Sequence, residues 1–420
     1  MNFTQFNLDA RLRAGISRAG YAEPTQIQIA AIPPALEGRD LIGTAQTGTG
    51  KTAAFVLPIM HRLLSNPRKG TRTIIITPTR ELAAQIHDTI RMLGSGTKIR
   101  SATVYGGVGA GPQINALRSG VDILIACPGR LLDLLNQGHG RLDSVDMLVL
   151  DEGDRMLDMG FLPDVRRILK YLPVRRQTML FSATFPREIE KLARQTLNRP
   201  ERVAVGLSRP VETVSHSLYP VKHYLKTRLL LALLKKTRTE SVLIFARTKH
   251  RAKRLARQIE QAGYKATSLH GNRTQSQRQA ALKGFKTGVY QIMVATDIAA
   301  RGLDVKNITH VINFDMPDTA DAYIHRIGRT GRAERSGDAL TLITPDDAAM
   351  VRTLEHIMGK PLSRLSLAGF DYDAPAPPRV KSTNGNTQRG SRKRNVPPSR
   401  SSRSLERGRR AQRRRRTSPA

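Results

Sequence analysis

Cysteine is almost missing: Cys127 stands alone in a chain of 420 residues. No disulfide can form within the chain, which fits a reducing compartment. Tryptophan is absent and aromatic residues make up only 5%. Few rings are therefore on offer for stacking bases, and any nucleic-acid contact is turned toward the backbone. No apolar run approaches the roughly 18 residues that span a bilayer; the longest, Ala53–Met60 and Leu229–Leu234, are short. The opening MNFTQFNLDARLRAG lacks the charged-then-apolar pattern of a signal peptide, so a cytoplasmic protein is expected. Acidic residues are also scarce. Against 69 Lys and Arg stand 34 Asp and Glu, a formal charge of +35. The stretch 379–420 holds fifteen of those cations and one Glu, yet the remainder stays strongly basic. A polyanionic partner is the first inference.

What is present is strand–helix alternation, twice over. Asn7–Ala19 carries Leu8, Leu12 and Ile16 on one face and predicts an amphipathic helix. Leu41, Ile42 and Ala45 mark a strand, and Lys51–Leu64 a helix. Thr73–Thr77, Ile123–Ala126, Met147–Leu150 and Thr178–Phe181 are strand-like; Glu81–Leu93, Arg130–Asn136 and Leu162–Tyr171 are helical. The pattern relaxes near Asn198–Glu212 and then resumes. Val242–Phe245, Ala266–Leu269, Ile292–Ala295, His310–Phe314 and Ala339–Ile343 read as strands, with a helix at Arg251–Ala262. This predicts an α/β fold of two doubly wound parallel-sheet domains in tandem. The expected boundaries are 1–206, a linker at 207–212, 213–370, and a disordered Arg-rich tail at 371–420 that includes Arg413–Arg416.

Chemistry concentrates where strands end. AQTGTGKT at Ala45–Thr52 follows the first strand. Gly48 and Gly50 allow backbone N–H groups to approach an anion, at the positive end of a helix dipole. Lys51 suits β/γ-phosphates and Thr52 suits Mg²⁺. The first position is Ala45 rather than Gly, and the alternative is a Gly-rich turn that binds nothing. Asp151-Glu152-Gly153-Asp154 follows Met147–Leu150. Here Asp151 would hold Mg²⁺ through water, and Glu152 would deprotonate an attacking water. HRIGRTGR at His325–Arg332 supplies Arg329 and Arg332, guanidinium forks suited to phosphate. Their place in the second domain predicts a cleft between domains.

With these motifs in family order, the chain resembles the DEAD-box ATP-dependent RNA helicases over roughly Phe3–Leu365, and most closely the bacterial RhlE-type group. GYAEPTQIQ at Gly20–Gln28, PTRELA at Pro78–Ala83, Gly106–Gly107, CPGR at Cys127–Arg130, SAT at Ser182–Thr184, LIFARTK at Leu243–Lys249, HGNRTQSQR at His270–Arg278 and ATDIAARGLDV at Ala295–Val305 carry the likeness. The family places Ala where Ala45 stands. The resemblance implies RecA-like domains, ATP and Mg²⁺ as cofactors, and RNA as partner. It implies that Gln28 reads the adenine edge, that Phe3 or Tyr21 stacks on adenine, and that Ala45, Gln46, Thr47, Gly48, Thr49, Gly50, Lys51 and Thr52 cradle the phosphates. Gly302 and Asp304 would join that site from the second domain. Asp154, Ser182, Thr184 and His325 would couple hydrolysis to closure. RNA would meet Pro78, Thr79, Arg80, Gly106, Gly107, Pro128, Gly129 and Arg130 in the first domain. In the second it would meet Arg247, Thr248, Gln275, Arg278, Thr296 and Asp297. Two residues depart from the family: Gly153 replaces Ala, and Cys127 replaces Thr.

The expected activity is RNA-dependent ATP hydrolysis that parts short duplexes or remodels RNA–protein complexes, with ribosome assembly and RNA decay as contexts the resemblance suggests. The rival readings are a translocating DNA helicase and a nonenzymatic RNA clamp on an inactive ATPase core.

Overall fold

The computed structural model describes residues 2–45, 49–205, 214–237, 240–300, 308–330 and 337–376. The expected linker 207–212 lies outside them, as does the chain from 377 onward. Residues 1–376 form one compact unit.

Among the described residues, two seven-stranded sheets with entirely parallel pairing organise it. The first holds Leu41–Thr44 (β1), Thr73–Ile76 (β2), Ser101–Val104 (β3), Ile123–Ala126 (β4), Met147–Asp151 (β5), Gln177–Ser182 (β6) and Glu201–Ala204 (β7). Their order is β3-β4-β2-β5-β6-β1-β7. The second holds Val214–Pro220 (β8), Val242–Phe245 (β9), Ala266–Leu269 (β10), Ile292–Ala295 (β11), His310–Asn313 (β12), Gly337–Ile343 (β13) and Ser363–Arg364 (β14). Their order is β10-β11-β9-β12-β13-β8-β14.

The central strands are short β-branched runs buried on both faces, such as Ile74, Ile75 and Ile76, because helices cover each side of a parallel sheet. One contact shows how closely they are packed. Phe181 of β6 lies over Gly43 of β1, so a Cβ at Gly43 would stand 2.4 Å from the ring. Phe181 also packs against Phe55 of helix Lys51–Ser65 with ring centroids 5.4 Å apart. Only glycine admits that ring.

The N-terminal helix is shorter than its periodicity predicts. A 3₁₀ turn, Phe3–Phe6, ends at Asn7 with φ 47, and the helix proper runs Ala10–Arg18. The left-handed residue breaks the helical path, and Asp9 restarts it by accepting the Arg11 N–H. The expected tail is also corrected at its start. Residues 371–376 pack on the second domain: Asp373 pairs with Lys222 at 3.0 Å, Tyr224 donates to the Ala374 carbonyl, and Ala374 is buried.

Candidate active site

The loop after β1 leads into helix Lys51–Ser65 through Gly50, whose φ of 95 suits glycine. A Cβ there would also strike Gln28 Nε2 at 2.6 Å and Thr25 Oγ1 at 2.8 Å. Gln28 is buried and holds this corner. Its Oε1 accepts the Thr25 N–H at 2.9 Å, and its Nε2 donates to the Gly50 carbonyl at 3.0 Å. Phe3 and Tyr21 lie with ring centroids 6.2 Å apart, beside a cavity of about 410 Å³. Lys51 Nζ donates to the Ala45 carbonyl at 2.8 Å. Gln46, Thr47 and Gly48 lie outside the described residues.

Across from the loop, β5 ends in the acidic cluster. Asp151 is buried, and its Oδ1 accepts the Glu152 N–H at 3.0 Å. Burial pushes its carboxyl well above the ordinary range; Lys51 pulls it back and Glu152 adds to the rise. Glu152 adopts φ 56 and ψ 54, a left-handed conformation unusual for a residue with a side chain. Its Oε2 accepts from Arg155 Nη1 at 2.6 Å, and both side chains are almost wholly buried. Asp154 ties the cluster to the end of β6. Its N–H donates to Ser182 Oγ at 2.9 Å, while its Oδ2 accepts from the N–H groups of Ala183 and Thr184 and from Thr184 Oγ1. Ser182 Oγ donates onward to the Thr184 carbonyl at 2.7 Å. Gly153 opens helix Gly153–Asp158, and a methyl there would sit 3.2 Å from Leu180 Cδ1.

The second domain brings His325 to this cluster. Burial lowers the His325 pKa first of all; the charges of Arg155, Asp154, Arg329 and Glu152 also act on it. A small cleft lined by Arg155, Asp297, His325, Arg326 and Arg329 joins the two halves. Arg329 is buried there. Gly302, Asp304 and Arg332 lie outside the described residues.

The loops expected on the RNA side are likewise drawn together. Arg80 opens helix Arg80–Leu93 and lies across Gly107, where a Cβ would fall 2.0 Å from its Nη1. Pro128 and Gly129 begin helix Pro128–Asn136, and Arg130 Nη1 donates to the Val108 carbonyl at 3.3 Å. Thr79 and Thr248 have their hydroxyls engaged as helix caps. Arg247 donates its N–H to Asp315. A polar knot bridges the domains: Arg278 Nε donates to Glu81 Oε1 at 2.9 Å, and Gln275 Nε2 lies 3.3 Å from the same oxygen. Thr296 is buried, and the Asp297 carboxylate is gripped by the Arg326 guanidinium at 2.6 Å on both oxygens.

Residues 25–192 match the DEAD/DEAH box helicase family and residues 225–334 the helicase conserved C-terminal domain. The chain is 46% identical over 363 residues to DEAD-box ATP-dependent RNA helicase 30 of Arabidopsis thaliana, covering 85% of this chain and 61% of that protein. It is 41% identical to DEAD-box ATP-dependent RNA helicase CshA of Bacillus subtilis (strain 168), covering 88% of this chain and 75% of that one. The chain belongs to the DEAD-box RNA helicase family. Among solved structures it resembles S. cerevisiae Dbp5 bound to RNA and ADP BeF3, with a TM-score of 0.78, 28% identity, and coverage of 87% of this chain and 95% of that one.

Three residues of this DEAD-box core are given no role by the motif reading: Glu81 within PTRELA, Arg326 within HRIGRTGR, and Arg155 just after the acidic motif. Each is a buried charge whose partner lies on another turn or in the other domain. Their sequence signal is only a charge within or beside a motif, and the pairing needs the fold.

Proposed function

We propose that this chain is an RNA-dependent ATPase that parts short RNA duplexes or remodels RNA–protein complexes, with little sequence preference. The observation that carries this reading is the meeting of the two domains at His325: it lines a cleft with Arg329 and with Arg155 of the first domain, and the charges of Arg155, Asp154 and Glu152 reach it there. ATP lies with its adenine beside Gln28, Phe3 and Tyr21 and its phosphates against Ala45–Thr52. Lys51 exchanges the Ala45 carbonyl for phosphate oxygen. Glu152 accepts a proton from water as the water oxygen bonds to the γ-phosphorus and the bond to the β–γ bridging oxygen breaks. Arg329 and Arg332 stabilise charge on the transferred group. Asp154, Ser182 and Thr184 carry the state of the acidic cluster into β6, and His325 carries it across the cleft.

The donor set fits Mg²⁺. Asp151 Oδ2 receives no hydrogen bond among the described residues, and burial leaves its charge poorly compensated. With Thr52 it would hold the ion, which keeps several waters and neutralises phosphate charge. The described residues contain no cluster of three or more His, Cys, Asp or Glu able to hold a metal ion. No helix among them is long and apolar enough to cross a membrane. A cytoplasmic setting agrees with the one buried free thiol, Cys127.

The RNA-side loops offer backbone groups and guanidinium forks, which favour phosphate and sugar over base edges. ATP hydrolysis measured with and without single-stranded RNA tests the proposal. RNA should raise turnover severalfold or more. Equal rates would sink it, and stimulation by DNA alone would redirect it to a DNA helicase.

A further inference from the structure

A second basic surface lies on the opposite face of the first domain, away from every residue assigned above. Arg62, Arg68, Arg175 and Arg176 line a cavity of about 570 Å³ together with Asp146 and Gln177. Its position follows from topology. Asp146 immediately precedes β5, Gln177 opens β6, and Gly38, also in the lining, lies just before β1. In a parallel sheet these are the N-terminal strand ends. The nucleotide and RNA loops occupy the other ends.

The charge here is unbalanced. Asp146 Oδ2 is held by Arg72. Arg62 donates to Gln177 Oε1 at 3.1 Å, and Arg176 Nη1 to the Pro173 carbonyl at 2.6 Å. Arg176 Nε is buried without a hydrogen-bond partner. Arg68 and Arg175 are exposed and make no ion pair among the described residues. Helices Gln26–Leu36, Lys51–Ser65 and Leu162–Leu169 end nearby, and helix C-termini attract cations. That attraction, about half an elementary charge per helix end, falls short of four guanidiniums. A second depression of about 380 Å³ shares Arg68 with the first and adds Arg11, Arg72 and Lys98 against one acid, Asp122. The joined groove is larger than one phosphate needs.

We infer that this groove binds the phosphate backbone of a second RNA segment, outside the ATP-dependent cleft. Guanidinium forks match phosphate oxygens. No aromatic side chain lines either depression, so it offers backbone contact rather than base stacking. The inference rests on RNA being the partner of the core. Its consequence is that long or structured RNA is held at two places while one strand is worked on in the cleft.

The test uses the full chain and the double variant Arg68→Ala/Arg175→Ala, two exposed loop positions. Two RNAs are titrated at several salt concentrations: one of about ten nucleotides, enough for a single site, and the same sequence extended several-fold. The variant should lose about tenfold in affinity for the long RNA, and the log–log salt slope should shrink by about 1.4, roughly 0.7 per lost contact. The short RNA should bind and stimulate ATP hydrolysis as before, and Arg68→Lys/Arg175→Lys should restore the slope. An unchanged affinity and slope for the long RNA would overturn the inference. So would loss of inorganic phosphate binding, or of poly-glutamate binding, with long-RNA affinity intact, since the groove would then serve a free anion or an acidic protein. Failure of short RNA to stimulate wild-type hydrolysis would instead count against the proposed function.

Discussion

Glu152 and Cys127 show what a single residue contributes. Glu152 is held by its left-handed backbone and by the buried Arg155 guanidinium, so its carboxylate points where the helix start and the ion pair dictate. Glu152→Gln keeps the shape and removes the base. ATP should still bind, while RNA-stimulated turnover should fall by about 10²–10⁴. Turnover near wild type would remove Glu152 from that role. Cys127 precedes helix Pro128–Asn136 at the capping position, with extended backbone and no side-chain hydrogen bond to the helix. Burial pushes its thiol pKa up to about 12, so it stays protonated and unreactive at neutral pH. A hydroxyl there can accept a helix N–H. Cys127→Thr should therefore stabilise the first domain by about 1 kcal/mol, read as a higher midpoint of thermal or urea unfolding. A lower midpoint would mean that the buried hydroxyl finds no partner.

At the scale of elements, sequence alone reveals the strands that bury both faces. Ile123–Ala126, Val242–Phe245 and Ile292–Ala295 have the bounds their apolar runs predict, because a central parallel strand is a short uninterrupted apolar block. Three of the four edge strands are hidden, while the fourth, Ala266–Leu269, is buried throughout and legible. Ser101–Val104 and Glu201–Ala204 are half exposed and Ser363–Arg364 is fully so, and they lack a pattern that separates them from loops. The site divides in the same way. Loops that carry motifs are legible. Cross-domain partners are not, since nothing local links Glu81 to Arg278. These two residues sit in the first turns of helices Arg80–Leu93 and Gln275–Lys286 and meet at 2.9 Å. Both are largely buried, so removing one strands the other. Glu81→Ala and Arg278→Ala should each lower RNA-stimulated kcat/KM, and the double variant should cost less than their sum by about 1–3 kcal/mol. Strict additivity would show that the two helices do not meet in the working state.

For the molecule as a whole, the buried histidines set the response to acid. His87, His270, His310 and His325 all have pKa values below the usual 6.5, with burial the leading cause in each. Below about 6.5 the unfolded chain takes up protons that the native state refuses, so stability is lost as pH falls. Asp151 acts in the opposite sense: its raised pKa lets the native state bind a proton first and gain stability on acidification. Four groups oppose one. In Mg²⁺-free buffer the melting temperature should fall between pH 7 and pH 5.5; a rise would give Asp151 the larger weight. The order of the strands carries a consequence for synthesis. In each sheet the earliest strand lies between the two latest, β1 between β6 and β7 and β8 between β13 and β14. When Leu41–Thr44 leaves the ribosome, neither Gln177–Ser182 nor Glu201–Ala204 has been made, and Val214–Pro220 waits in turn for Gly337–Ile343 and Ser363–Arg364. Neither half can close its sheet early. Each domain is completed by its own last strands, and a nascent chain halted before them holds an apolar strand with no neighbour to cover it.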